Sequence, residues 1–228
     1  MAPAKTLLCY GDSNTYGAIP TLARVGRHRF APDRRWPGVL RKQLGSGWDV
    51  IEEGLPSRTT VHDDPIEGVH KNGLRGLPIS LDSHMPIDVT ILMLGTNDLK
   101  HRFGLTPGDI ADSVELLIRS VQRSEAGPGG SAPLVLAVAP PPMAEIDWLG
   151  AMFLGGAEKS QRLPQLIGDA ARRMGAAFLN SADFIESSAV DGIHLDSDAH
   201  RALGIRIARI VRELIEPPAE TTHRHSAE

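Results

Sequence analysis

Thr6-Leu7-Leu8-Cys9-Tyr10-Gly11-Asp12-Ser13-Asn14 decides the fold. Thr6 to Tyr10 is a nearly continuous apolar run of strand length, and Gly11-Asp12 ends it with a turn signal. A strand that alternates apolar and polar residues has one wet face. A strand without alternation is covered on both faces, as in a parallel sheet flanked by helices. Val89–Leu94 and Leu134–Ala139 repeat the pattern, and Asp49–Glu52 and Ala176–Leu179 are shorter candidates. Helical patterns lie between them. Thr106-Pro107-Gly108-Asp109 reads as a helix start, with Thr as cap, Pro at the first position and an acid at the third. Ile110, Val114, Leu117, Ile118 and Val121 then recur at helical spacing, as do Leu203, Ile207, Ile210, Val211 and Leu214 near the C-terminus. Further helices are expected over Trp36–Leu44, Leu74–His84 and Glu158–Met174, the last with a possible break at Pro164. This alternation predicts an α/β fold with a five-stranded parallel sheet.

Three segments stand outside the alternation: Ala18–Arg35, Val61–Gly73 and Pro140–Gly156. Long loops in a compact domain tend to carry function or contacts. The 228 residues suffice for one sizeable core, so a single domain is expected over residues 1–216 and a disordered tail over 217–228. With 41% hydrophobic and 23% charged residues the composition is that of an ordinary globular protein. A net charge of −4 and no basic stripe speak against a nucleic-acid partner. No apolar run is long enough to span a bilayer, and the lone Cys9 cannot form an internal disulfide, so a cytoplasmic protein is expected.

In an open parallel sheet, ligands bind outside the carboxyl ends of the strands. Four segments fall there: Gly11-Asp12-Ser13-Asn14, Glu53-Gly54-Leu55-Pro56-Ser57-Arg58, Gly95-Thr96-Asn97-Asp98 and Asp191-Gly192-Ile193-His194. Their residue types suit acyl transfer. A serine hydroxyl is a weak nucleophile until a base takes its proton. His194 is the candidate base for Ser13, and Asp191 can hold the other ring nitrogen as a donor. Negative charge developing on the attacked carbonyl needs donors already in place. The Ser13 and Gly54 backbone N–H groups and the Asn97 amide are the candidates. Each motif alone is weak. Their order, and their placement at strand ends of one sheet, join them.

These four blocks resemble those of the SGNH hydrolases, the GDSL-type esterase/lipase superfamily. Trp36, the stretch Glu52-Glu53-Gly54-Leu55 with Arg58-Thr59-Thr60, Met93-Leu94-Gly95-Thr96-Asn97-Asp98 and the prolines at 140–142 are similar to its bacterial arylesterase/acyltransferase subgroup. The resemblance covers most of residues 5–215. It implies a flavodoxin-like three-layer α/β/α sandwich, with Ser13, Asp191 and His194 catalytic and Ser13, Gly54 and Asn97 forming the oxyanion hole. The expected activity is a serine esterase acting on short-chain acyl esters, with acyl transfer or perhydrolysis from the acyl-enzyme. No cofactor or metal is expected. Subgroup members form homo-oligomers, octamers among them, so a homo-oligomer is expected here. Two residues depart from the pattern: Asn14 stands where the superfamily usually has leucine, and Pro56 where a small polar residue is expected.

Substrate contacts are expected at Asp12, Tyr16, Leu55, Pro56, Thr96, Phe153 and Ile193. Trp148, Met152 and Phe153 read as an exposed apolar loop, which suits a lid or an oligomer contact. His62, Asp63, Asp64 and His70 match no strong metal pattern and read as a solvated loop. Two other functions compete. One is a carbohydrate acetylesterase. The other is a flavodoxin-like mononucleotide-binding protein whose Gly11–Gly17 turn would cradle a phosphate. That turn lacks a Gly-Lys-Ser/Thr ending, and the reading leaves Asp191 and His194 without a task.

Overall fold

All five expected strands form, and all pair in parallel: β1 (Lys5–Gly11), β2 (Trp48–Gly54), β3 (Val89–Met93), β4 (Leu134–Ala139) and β5 (Ala177–Asn180). The computed structural model describes residues 3–216 apart from Val25 and Arg27. The expected tail over 217–228 lies outside the described residues. Strand order is β2-β1-β3-β4-β5, the flavodoxin-like order. The helices are α1 (Ser13–Tyr16), α2 (Trp36–Leu44), α3 (Gly73–His84), α4 (Pro107–Gln122), α5 (Asp147–Met152), α6 (Gly156–Ser160), α7 (Leu163–Arg173) and α8 (Ser197–Ile215).

Alternate strand residues feed two separate cores, which is why the strands read as unbroken apolar runs. Leu7, Cys9, Ile91, Met93, Leu136 and Val138 pack on one face with residues of α2 and α8. Leu8, Tyr10, Leu92, Leu94, Ala137 and Ala139 pack on the other with α3, α4 and α7. The result is a three-layer α/β/α sandwich. Helix α4 begins as its sequence predicts: Thr106 and Asp109 form a reciprocal capping box, with Pro107 at the first helical position.

The stretch expected as a helix over 158–174 breaks before Pro164, the break its sequence allows, into two helices, because the proline ring suits a first turn and not an interior. One expectation needs correction: the apolar stretch near Trp148 is not an exposed loop. It forms α5, Leu149 and Phe153 are buried, and Trp148 and Met152 pack against the core. Among the described residues, no helix is long and apolar enough to cross a membrane.

The chain runs from β1 to β2 on one side and returns to β3 on the other. The strand ends on either side of such a reversal diverge and leave a crevice. Gly11-Asp12-Ser13 and Gly95-Thr96-Asn97 flank it.

Candidate active site

Ser13 opens α1 directly beyond β1. Asp12 caps that helix, its Oδ1 accepting from Asn14 N–H at 2.9 Å. β1 and β2 pair Gly11 with Gly54, which sets Gly54 against α1. A Cβ at Gly54 would lie 2.1 Å from the Tyr16 nitrogen, so only glycine fits. Gly192 is fixed likewise: its φ is 76°, and a Cβ would meet the Ala144 carbonyl oxygen at 2.2 Å.

From opposite ends of the sequence, these turns bring three side chains together. His194 Nε2 lies 3.1 Å from Ser13 Oγ, and His194 Nδ1 lies 2.7 Å from Asp191 Oδ2. Asp191 is fully buried and accepts two further bonds at Oδ1, from the N–H groups of Ile193 at 3.0 Å and His194 at 2.9 Å. Thr21 N–H adds a fourth bond, to Oδ2 at 2.9 Å. Burial opposes ionisation here. The bond and charge of His194 and the backbone donors outweigh it and hold the Asp191 pKa at about 2. An ionised Asp191 fixes the tautomer: Nδ1 carries the proton and donates, so Nε2 is left to accept from the Ser13 hydroxyl.

Asn97 begins a short 3-10 turn beyond β3, and its Nδ2 lies 3.5 Å from Asp12 Oδ2. Asp98 anchors that turn, accepting from the N–H of Thr60 at 3.0 Å and from its hydroxyl at 2.5 Å. Above pH 6 the Asp12 carboxylate only accepts, so the amide atom that faces it is the donor Nδ2. Asn97 also lines the pocket over Ser13 and His194.

The sequence matches the GDSL-like lipase/acylhydrolase family over residues 9–202. The chain belongs to that family. Among solved structures it is similar to the aryl esterase of M. smegmatis, at 43% identity with a TM-score of 0.88, covering 92% of this chain and 100% of that one. It is similar also to Est24, a carbohydrate acetylesterase from Sinorhizobium meliloti, at 42% identity with a TM-score of 0.88, covering 92% and 99%. A carbohydrate acetylesterase family member from the same organism gives 38% identity and a TM-score of 0.85, covering 92% and 99%. None of the curated proteins compared matches. The family and these relatives make the chain a carboxylic ester hydrolase, with the SGNH hydrolase fold. The mononucleotide reading falls with that. Its physical reason is local: the Asp12 carboxylate occupies the helix terminus where a phosphate would sit.

A pocket of about 330 Å³ opens over Ser13 and His194 in this GDSL-family esterase. Of the substrate contacts expected from sequence, Tyr16, Pro56, Phe153 and Ile193 line it. Asp12, Leu55 and Thr96 do not: the Asp12 carboxylate is taken up by the Asn14 N–H and the Asn97 amide, and the Leu55 N–H is bonded to the Gly11 carbonyl at 3.0 Å. Asn14 is not at the pocket wall either. The wall on the α5 side is Trp148, Leu149, Met152 and Phe153. The Trp148 indole donates to the Leu22 carbonyl at 3.0 Å, and the Arg24 guanidinium stacks 5.0 Å from its ring. The Ala18–Arg35 loop is therefore tied to α5 at the pocket as well as to Asp191.

Sequence reasoning missed the pocket's polar corner, made by Ser57, Glu67 and Lys100. Lys100 donates to Glu67 at 2.8 Å and reaches Asp64 at 3.5 Å, and Arg102 lies 3.4 Å from both carboxylates. Asp63 and His70 are exposed, as expected of a solvated loop, but Asp64 is completely buried, which corrects that expectation at this residue. Burial works against its charge, and the N–H groups of Ile66 and Glu67 with the two cations outweigh it, so its pKa is lowered. Asp63 is committed to Arg75 at 2.8 Å. The one available signal was spacing: Lys100 follows Asn97 by three residues, which the 3-10 turn turns back to the same side.

Proposed function

We propose that this protein hydrolyses short-chain acyl esters through an acyl-enzyme on Ser13. The observation that carries the proposal is the unbroken line from Ser13 Oγ to His194 at 3.1 Å and on to Asp191 at 2.7 Å, with Ser13 and His194 lining the pocket. Ser13 Oγ attacks the acyl carbonyl while His194 Nε2 takes its proton, and Asp191 stabilises the imidazolium. The N–H groups of Ser13 and Gly54 and the Asn97 amide receive the oxyanion. When the intermediate collapses, His194 returns the proton to the departing alcohol. Water, activated by the same histidine, then releases the acid. An alcohol or hydrogen peroxide bound in the pocket intercepts the acyl group instead, because a positioned acceptor competes well against bulk water. Neither metal nor cofactor has a step in this scheme.

A second reading, a carbohydrate acetylesterase, draws on the polar corner. Asp64, Glu67, Lys100 and Arg102 are two carboxylates and two cations, a neutral set. With Ser57 it suits an uncharged hydroxylated alcohol and not an anionic ester. A panel of nitrophenyl esters of increasing acyl length, run beside acetylated sugars, decides between the readings. Fast turnover of nitrophenyl acetate that falls off with chain length supports the first. Preference for acetylated sugars supports the second, and preference for long acyl chains contradicts both.

The proposal includes a homo-oligomer and a cytoplasmic location. Ile66, Val69 and Leu154 are 73%, 61% and 57% exposed, apolar surface that a second copy could cover. Light scattering should give a mass several times the 24.5 kDa chain.

A further inference from the structure

Asn14 is 1% exposed and follows Ser13 directly, yet the proposed chemistry gives it no task. Its side-chain amide makes two bonds to the far end of the chain. Nδ2 donates to the Ile193 carbonyl at 3.2 Å, and Oδ1 accepts from the Leu195 N–H at 3.0 Å. These are the backbone groups on either side of His194. An amide has donor and acceptor in one plane, so it can pair with a C=O and an N–H as a neighbouring strand would.

The Asp191–His194 turn is also held by the Thr21 N–H on Asp191 Oδ2 at 2.9 Å and by the Ala144 N–H on the Gly192 carbonyl at 2.8 Å, neither of them from α1, and the remaining backbone bonds of Ile193 and His194 are local. The N–H groups of Ile193 and His194 donate to Asp191 Oδ1, and the Ser188 N–H donates to the His194 carbonyl at 2.8 Å. They fix the shape of the turn, not its distance from Ser13. Among the described residues, the Asn14 pair is what joins the backbone beside His194 to α1. A helix of four residues has no stability of its own, so its place depends on such ties.

We propose that Asn14 is a positioning residue: its amide holds the backbone of His194 in register with Ser13 and so sets the gap across which the hydroxyl proton moves. This rests on the roles proposed above for Ser13 and His194. Proton transfer tolerates little error in that gap, and a displacement near 1 Å costs about 100-fold. An apolar side chain of the same size would leave the Ile193 carbonyl and Leu195 N–H unpaired in the interior, and the turn would move to satisfy them.

Asn14→Leu tests this, with steady-state kinetics on nitrophenyl acetate, thermal melting, and the rate at which a serine-directed organophosphorus reagent labels Ser13. The expected result is a kcat lower by about 10- to 100-fold with KM changed less than about twofold, and labelling slowed by a similar factor. An unchanged kcat with only a lower Tm would reduce Asn14 to a structural residue and overturn the proposal. So would a raised KM at unchanged kcat. Asn14→Asp keeps the size and the acceptor for Leu195 and removes the donor to Ile193. Its kcat on the alkaline plateau should fall between the parent and Asn14→Leu. If Asn14→Leu does not fold, a kcat loss at constant KM in Asn14→Asp supports the proposal, and a parental kcat overturns it. The underlying reading fails separately, if Ser13→Ala keeps its turnover.

Discussion

Two turns meet at the crevice, one after β1 and one before α8, and each carries a buried aspartate close to His194. Their electrostatics are opposite. Asp191 accepts four bonds, and its pKa is held at about 2. Asp12 accepts one short bond, from Asn14 N–H, and a 3.5 Å contact from Asn97; burial pushes its pKa up to about 6 against the Asn14 N–H and the charges of His194 and Arg58. Burial alone does not determine charge. The number of donors aimed at the carboxylate does. The turn before α8 is built to hold a charge, which suits an orienter of a histidine. The turn after β1 holds a carboxylate that loses its proton only near pH 6 and uses its geometry.

The sharpest break in this contrast is Asp191→Asn. It keeps the shape but lets the histidine take the wrong tautomer, so kcat should fall about 10⁴-fold, as measured on nitrophenyl acetate. A loss below tenfold would mean that the four donors serve folding alone. Asn97→Ala should lower kcat by about 10²–10³ with a smaller change in KM, and a pure KM effect would make Asn97 a binding residue only.

Stability separates the two aspartates more gently. The Asp191 pKa is lowered on folding, so its contribution is present above about pH 4 and lost as pH falls toward 2. The Asp12 pKa is raised on folding, so its contribution is present below about pH 4 and lost as pH rises through 6. Asp12→Asn should remove that second loss, on the order of 2 kcal/mol. Melting curves of variant and parent should therefore move apart in the variant's favour between pH 4 and 7. Parallel curves would contradict the raised pKa. The smallest effect is expected at the polar corner. Ser57→Ala should weaken kcat/KM for acetylated sugars by about tenfold or less and leave nitrophenyl acetate nearly unchanged. Equal loss on both substrates would remove the corner from alcohol recognition.

The strands and the four site segments were legible because their signals are local. Leu7 to Tyr10 declares two covered faces within four residues, and Thr106 with Asp109 declares a helix start within four. Turns at strand ends then place Ser13, Gly54, Asn97 and His194 on one edge by topology. Helix α5 was not legible: six residues between a proline run and Gly155-Gly156 have too little propensity, and burial of Leu149 and Phe153 supplies the rest. The Lys100 cluster was hidden because its partners lie 33 and 36 residues away. Asn14 could be seen as unusual, but its partners at 193 and 195 could be assigned only once the fold had closed.

The most direct test of the central claim is peptide mass spectrometry after treatment with a serine-directed organophosphorus reagent, on the parent and on His194→Ala. The account predicts one modified residue, Ser13, in the parent, and labelling slowed by orders of magnitude when His194 is removed. Label on Ser57 or another serine, or equal labelling of Ser13 without His194, would contradict it.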